Sequence, residues 1–409
     1  MDLAYLSKLE GIGGVLKSSP EDFIVEEITK EGEVLELDKR FEKEGEGDFT
    51  RFVLQKRNWN TLQALREIGN KLHCGMKRFS YAGVKDRNAV TTQLASAFKI
   101  DKTALVNVRI KDIQINGAWG AKEKVRIGEL LGNRFTITLR DAAADAETAV
   151  ERIYIDTNGL FPNYFGEQRF GSIRKNTHLV GKAIVSGNFK EAVWNYLTYL
   201  DDGEREEGKE ARKKLAEDGD FKKALDYFPK YLGYERTMLN HLSANPTDYV
   251  NTLRKLPRGL SLMFVHAYQS YIFNKTISKK ISEGGVSIEL GDMFCEKDRF
   301  GFPKLDEVRK AESRAEAGGY LPVGRVIGYE TTELDDVERE ILKEEGITEK
   351  NFLIKSLPEL SSKGTLRCSL ISTENMKFSS QNGGLRFTFL LPSGSYATSI
   401  MREFVDRCK

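Results

Sequence analysis

"GLRFTFLLPSGSYATSIMREF", residues 384–404, is the stretch on which the architecture turns. "GLRFTFLLP" reads as a strand, and "SGSYATSIMREF" as a turn that enters a closing helix. "TLRCSLIS" (365–372) precedes it as another strand. A similar strand, "RFTITLR", stands far upstream at 134–140, although one such pair is no repeat. A strand-rich tail that follows a long helical middle implies an insertion. The tail then returns to complete a sheet begun near the N-terminus.

Residues 1–140 read mostly as strand: "DFIVEEI" (22–28), "DFTRFVLQKR" (48–57), "TTQLASAFKI" (91–100), "VNVRIKDIQI" (106–115) and "RFTITLR". "WNTLQALREIGNKLH" interrupts them as a helix, with Leu62, Leu65, Ile68 and Leu72 at helical spacing and Asn60 or Thr61 as cap. A second helix is predicted over 145–155, with Ala146, Val150 and Ile153 on one face. From about 180 to 365 the chain turns helical. "LSLMFVHAYQSYIFNKTISKKI" is apolar nearly all round and should be buried, whereas "GEREEGKEARKKLAEDGDFKKALDYF" is charged enough to be a solvated excursion. The expected class is α+β. A mixed or antiparallel sheet domain, residues 1–180 plus 366–409, carries a helix-rich α+β domain, 181–365, inserted before its last strands.

The chain has 409 residues, 40% hydrophobic and 30% charged, with a net charge of +2. Its length allows two or three domains. The charge alone does not argue for nucleic acid, but abundant lysine and arginine leave room for a basic face. Cys74, Cys295, Cys368 and Cys408 form no CxxC pair, and the four histidines show no HxxxH or HxH spacing. A catalytic metal and a disulfide framework are therefore not expected, and a reduced cytoplasmic protein is. No segment is apolar enough to span a membrane, and no signal peptide is expected.

Four stretches combine glycine or proline, aromatics and a fixed charge in turns between regular elements, where sites are usually placed. They are "LKSSPEDFIVEE" (16–27), "YAGVKDRNAVTTQ" (81–93), "PNYFGEQRFGS" (162–172) and "LLPSGSYATSIMRE" (390–403). In order and in detail they resemble the TruD family of tRNA pseudouridine synthases. That family carries Lys-x-x-Pro-Glu-Asp-Phe, Gly-x-Lys-Asp followed by Thr-x-Gln, Asn-Tyr-Phe-Gly-x-Gln-Arg-Phe-Gly, and Leu-Pro-x-Gly-Ser-[aromatic]-Ala-Thr-x-x-x-Arg-Glu. "AYQSYIFN", "GDM" and "LPVG" resemble its inserted domain. The aromatic of the fourth motif is Tyr396, where some members have Phe.

The resemblance implies an isomerase that needs no cofactor. It breaks the N1–C1′ bond of a uridine in tRNA, associated with position 13, and rejoins the base through C5. It implies tRNA as partner, no membrane and no obligatory protein partner. Asp86 becomes the catalytic carboxylate, acting at C1′ as nucleophile or at C2′ as base. A lone acid between Lys85 and Arg87 ordinarily marks a solvated turn, and the motif around it argues otherwise. A carboxylate in a pocket that excludes water needs a cation to stay ionised. Lys17, Lys85 or Arg87 could supply one, and the resemblance favours Lys17. Lys85 and Asp86 need not touch, and Lys85 could bind phosphate. Phe165 is read as the ring on which the flipped base stacks, worth roughly 1–3 kcal/mol, while Tyr164 points elsewhere. Asn163 could bond near Asp86 or hold its loop. Gln168 and Arg169 could brace the turn or touch RNA. Gly166 and Gly171 would allow positive φ or close backbone approach. Ser395 and Tyr396 would line or support the site, Arg402 and Glu403 would form a structural pair, and Phe23 and Tyr81 would be core. The competing reading is an RNA-binding protein of the same fold without catalysis, which an assay for pseudouridine on labelled tRNA would separate.

Overall fold

A computed structural model describes residues 2–143, 145–284, 287–312, 319–381 and 383–405. The chain packs as two units. One comprises Leu6–Phe161, Lys297–Pro303 and the chain from Ile371 onward; the other comprises the chain up to Tyr5, Pro162–Glu296 and Lys304–Leu370.

In the first, or sheet, unit the strands are β1 (Phe23–Ile28), β2 (Phe49–Arg57), β3 (Phe79–Tyr81), β4 (Val90–Phe98), β5 (Ile113–Ala121) and β6 (Gly132–Arg140). β7 (Leu160–Pro162) lies where the chain leaves this unit and β12 (Leu370–Ser372) where it returns; β13 (Lys377–Gln381) and β14 (Gly384–Pro392) follow. The eight-stranded sheet runs β13-β14-β6-β1-β4-β2-β5, with β3 also paired to β4. β1 and β4 are parallel, and the other pairings are antiparallel.

The tail completes the sheet. β14 lies antiparallel to β6 from Gly384 opposite Arg140 to Pro392 opposite Gly132. Its alternation is the reason it fits: Leu385, Phe387, Phe389 and Leu391 are all at most 1% exposed and enter the core. Phe389 stacks on Phe135, its register partner, at 5.8 Å between centroids.

Helix α1 (Thr61–Lys71) starts where its cap requires, since Asn60 accepts from the amides of Leu62 and Gln63. It buries Ala64, Leu65 and Ile68 against Phe52 and Leu54 of β2. One expected strand moves. Residues 106–115 contain the end of α2 (Lys102–Val106), capped by Asp101, and β5 begins only at Ile113. β5 was hard to see because close approach demands small residues of low strand propensity. A Cβ on Gly117 would sit 2.1 Å from the carbonyl oxygen of Phe41. Helix α3 (Ala146–Asp156) forms as expected and buries Ala146, Val150 and Ile153.

The helical unit contains α4 (Thr177–Val185), α5 (Phe189–Thr198), α6 (Glu206–Asp218), α7 (Phe221–Tyr227), α8 (Gly233–Ala244), α9 (Tyr249–Arg254), α10 (Arg258–Glu283) and α11 (Asp336–Glu345). A sheet ordered β11-β10-β8-β9 joins Thr365–Cys368, Tyr320–Val326, Met293–Glu296 and Arg309–Lys310. Helix α10 is buried along its length, from Phe264 to Ile281, as its all-round apolarity requires. The compact units divide at 161/162 and 370/371, not at the composition bounds of 180 and 365. The physical reason is local. The 162–172 loop bonds to α10, α4 packs on α10, and β11 pairs with β10. The charged α6 is less solvated than expected. Arg212 is fully buried and pairs with Glu204 and Glu235.

Candidate active site

In the sheet unit the Asp86 carboxylate sits on the turn between β3 and β4. Lys17 Nζ donates to its Oδ2 at 2.9 Å, with the two side chains 20% and 29% exposed. Lys17 has φ +58, a left-handed backbone that costs a side-chain-bearing residue roughly 1–2 kcal/mol. Its carbonyl accepts from Asn88 at 3.3 Å, and its ammonium lies 3.9 Å from the Phe23 ring centroid. Just after Lys17, Pro20–Asp22 form a 3-10 turn pinned by Asp22, which accepts from Ser19 and from Arg140. Burial pushes the Asp22 carboxyl up, but the bonds from Arg140 and Ser19 outweigh it and hold it below its ordinary value.

The turn carrying Asp86 is anchored from beneath. Gly83 O accepts from Gln93 Nε2 at 2.9 Å, and the Lys85 amide donates to Thr61 Oγ1 at 3.0 Å. The buried Lys85 ammonium reaches Glu27 Oε2 at 2.8 Å and Asn133 Oδ1 at 2.5 Å. Lys85 and Asp86 thus point apart, as adjacent residues do in extended chain. Arg87 is exposed. Lys56, absent from the sequence reading, donates from Nζ to the carbonyl of Asp86 at 2.8 Å. The Thr-x-Gln of the motif is Thr91-Thr92-Gln93, all three fully buried under the turn.

Tyr396 is half-buried at the N-cap of α12 (Ala397–Met401), where its carbonyl accepts from the Ser399 amide at 3.0 Å. The Ser395 amide donates to Pro392. Arg402 lies 3.6 Å from Glu403, whose fully buried carboxylate accepts from the amides of Leu6 and Ser7.

In the helical unit the 162–172 loop is held by three side chains. Asn274 of α10 accepts from the Phe165 amide at 2.8 Å and donates to its carbonyl at 2.9 Å. Asn163, 4% exposed, donates to Cys368 O and accepts from Arg367 at 2.7 Å, so it holds its own loop. Arg169 donates to Ser270 at 3.1 Å and so braces the loop against α10. The half-buried Phe165 ring meets Phe273 edge-on at 5.5 Å, with the Arg367 guanidinium 4.1 Å and that of Arg169 5.6 Å from its centroid. Tyr164 is buried and donates to Ala4 O. Gln168 is exposed. Gly171 has φ +119 and meets Arg174 O where a Cβ would stand, whereas Gly166 has φ −68.

Two groups are thereby assembled: Lys17 with Asp86 in the sheet unit, and Phe165 with Asn163 and Arg169 in the helical unit. Among the described residues no cluster of three His, Cys, Asp or Glu could hold a metal ion. Asn274 closes the "AYQSYIFN" stretch noted in the sequence, so that signal was present without its role. Arg367 and Asn133 gave no signal apart from the fold.

The sheet unit thus sets a lysine against a carboxylate on a pinned turn, in a mixed sheet closed by the chain's own tail. The model of the family "tRNA pseudouridine synthase D (TruD)" matches residues 2–404. The "Probable tRNA pseudouridine synthase D" of Methanosarcina acetivorans is 38% identical over 98% of this chain and 94% of its own. That of Methanopyrus kandleri is 39% identical over 88% and 86%. A crystal structure of the Methanosarcina mazei protein described as tRNA pseudouridine synthase D superposes with a TM-score of 0.78 at 36% identity, covering 98% of this chain and 95% of that one. The chain belongs to the tRNA pseudouridine synthase D (TruD) family, and with it to the isomerases.

Proposed function

We propose that the protein converts a uridine of tRNA, the one at position 13, into pseudouridine, with Asp86 as the carboxylate that acts at the sugar. The observation that carries the assignment is the Lys17–Asp86 pair at 2.9 Å on a turn anchored by Lys56, Thr61 and Gln93. In the reaction the N1–C1′ bond breaks, the base turns over, and a C5–C1′ bond forms. The C5 hydrogen leaves as a proton and N1 gains one, so no electrons are exchanged and no redox group is called for. A carboxylate at C1′ or C2′ serves this chemistry either as nucleophile or as base. Lys17 supplies its counter-charge.

Phe165 is assigned to receive the extruded base, because its loop is held on both sides of the ring's own peptide by Asn274. Lys85 is assigned to anchor the Asp86 turn and not to bind phosphate, since its ammonium is buried against Glu27 and Asn133. Asn163 and Arg169 support the Phe165 loop, and Tyr396 supports the start of α12. Work on tRNA fits a cytoplasmic protein. Among the described residues no helix is long and apolar enough to cross a membrane.

The test is Asp86→Asn on tRNA carrying uridine tritiated at C5, where each turnover releases label. Turnover should fall about a thousandfold or more, while the Kd for unmodified tRNA stays within about tenfold, or 1.4 kcal/mol. Near-normal label release by the variant would remove Asp86 from the mechanism.

A further inference from the structure

We infer that Lys56 is a positioning residue for Asp86: from the interior of the sheet its ammonium holds the peptide carbonyl of the catalytic carboxylate and fixes how the turn presents it. The inference rests on the assignment of Asp86. Lys56 lies on β2, opposite Thr91 of β4 on one side and Ile113 of β5 on the other, and is fully buried. Its acceptors are main-chain oxygens of the turn, Asp86 O at 2.8 Å and Lys85 O at 3.5 Å, not a carboxylate.

A buried ammonium whose acceptors are carbonyls is a costly way to hold a turn. A methylene side chain of like volume would fill the space more cheaply. Its charge also works where Asp86 works. Burial pushes the ammonium down from 10.5 to about 7, the Asp86 charge opposes that fall, and the Lys85 charge adds to it. The charged and polar groups around it are Asp86 and Lys85 in the turn, and Lys17 through Asp86. Glu27 of β1 and Asn133 of β6 act through Lys85, and Thr91 of β4 is its register partner. Below about pH 7 the ammonium is a second cation at Asp86, bonded to its main-chain oxygen while Lys17 is bonded to its carboxylate.

The experiment compares wild type, Lys56→Met and Asp86→Asn in the full chain on tritiated tRNA, across pH. Lys56→Met should lower kcat at least tenfold, leave KM for tRNA within about threefold, and move the acid limb of the kcat profile to higher pH, because a cation favouring the anion is gone. A merely structural lysine would not move that limb. Lys56→Gln, which keeps a shorter donor, takes the place of the Met variant if the latter does not fold, and is read by the same two measures. Wild-type kcat, or a fall in kcat with an unmoved acid limb, overturns the role of Lys56 while an inactive Asp86→Asn leaves the Asp86 assignment standing. An active Asp86→Asn overturns both.

Discussion

At the scale of single residues, the sheet unit spends stability where the reaction is assigned. Lys17 is held at φ +58 and Lys56 buries a titratable ammonium, and both costs converge on one residue, Asp86. The Lys56 cost has a measurable sign. In the unfolded chain this lysine titrates at 10.5, and in the folded protein at about 7. Between those values the unfolded chain holds a proton that the folded one does not, so stability rises with pH across that window. The gain is up to roughly 1.4 kcal/mol per pH unit from this one group. Denaturant unfolding of wild type and Lys56→Met at several pH values isolates it, because other groups cancel in the difference. Wild type should gain on the variant from about pH 7 toward 10. A difference that stays flat with pH would mean that Lys56 is charged in the fold as it is in water.

At the scale of elements, both groups depend on short turns fastened by residues far away in sequence. The turn after β3 is fastened by Thr61 of α1 and Lys56 of β2, and the loop after β7 by Asn274 of α10 and Arg367 of β11. Asn274→Ala removes both bonds to the Phe165 peptide without touching the ring. Each lost bond costs about 0.5–1.5 kcal/mol, more where a buried group is left unpaired. Turnover should fall roughly tenfold, with tRNA binding less affected. Unchanged turnover would show that the ring needs no such support, or has no part in the reaction. The same long-range fastening decides what could be read from sequence. Lys17, Asp86 and Phe165 stand inside long local motifs, which is why the sequence alone singles them out, and the structure pairs the first two. Lys56 was legible in principle by parity, since it shares its strand face with the buried Phe52 and Leu54. Its charge and the exposed Arg57 beside it made β2 look as if it surfaced there. Arg367 and Asn133 become partners only through the register of strands, which no local pattern encodes. β5 was displaced because its glycines serve close packing, not strand propensity.

At the scale of the whole molecule, the sheet unit draws on three separated pieces of chain, and one is a seven-residue visitor from within the helical region, Lys297–Pro303. Its tip is built into the sheet unit. Phe302 is 4% exposed, and a Cβ placed on Gly132 of β6 would stand 2.8 Å from its ring. Phe300 and Arg299 crowd Gly32 in the same way. The chain leaves and re-enters the unit close together, since the Thr373 amide donates to Gly159 O at 2.9 Å. Joining Phe161 directly to Ile371 through a short flexible linker would therefore keep the ladder of β14 on β6, and with it the burial of Leu385, Phe387, Phe389 and Leu391. Those four side chains are worth roughly 1.5–3 kcal/mol each, comparable in sum to the whole stability of a domain. The shortened chain should fold. It should also be weaker than the unit in the intact protein by the loss of Phe302, about 3–5 kcal/mol for a buried ring. Phe302→Ala in the full chain supplies the control, because it removes the ring while keeping every other connection. Cooperative urea unfolding of the shortened chain, with a deficit matched by that control, is the expected result. A shortened chain with no cooperative transition, beside a full-length Phe302→Ala that unfolds normally, would show that the sheet unit cannot fold without the helical one and is not the independent host of an insertion.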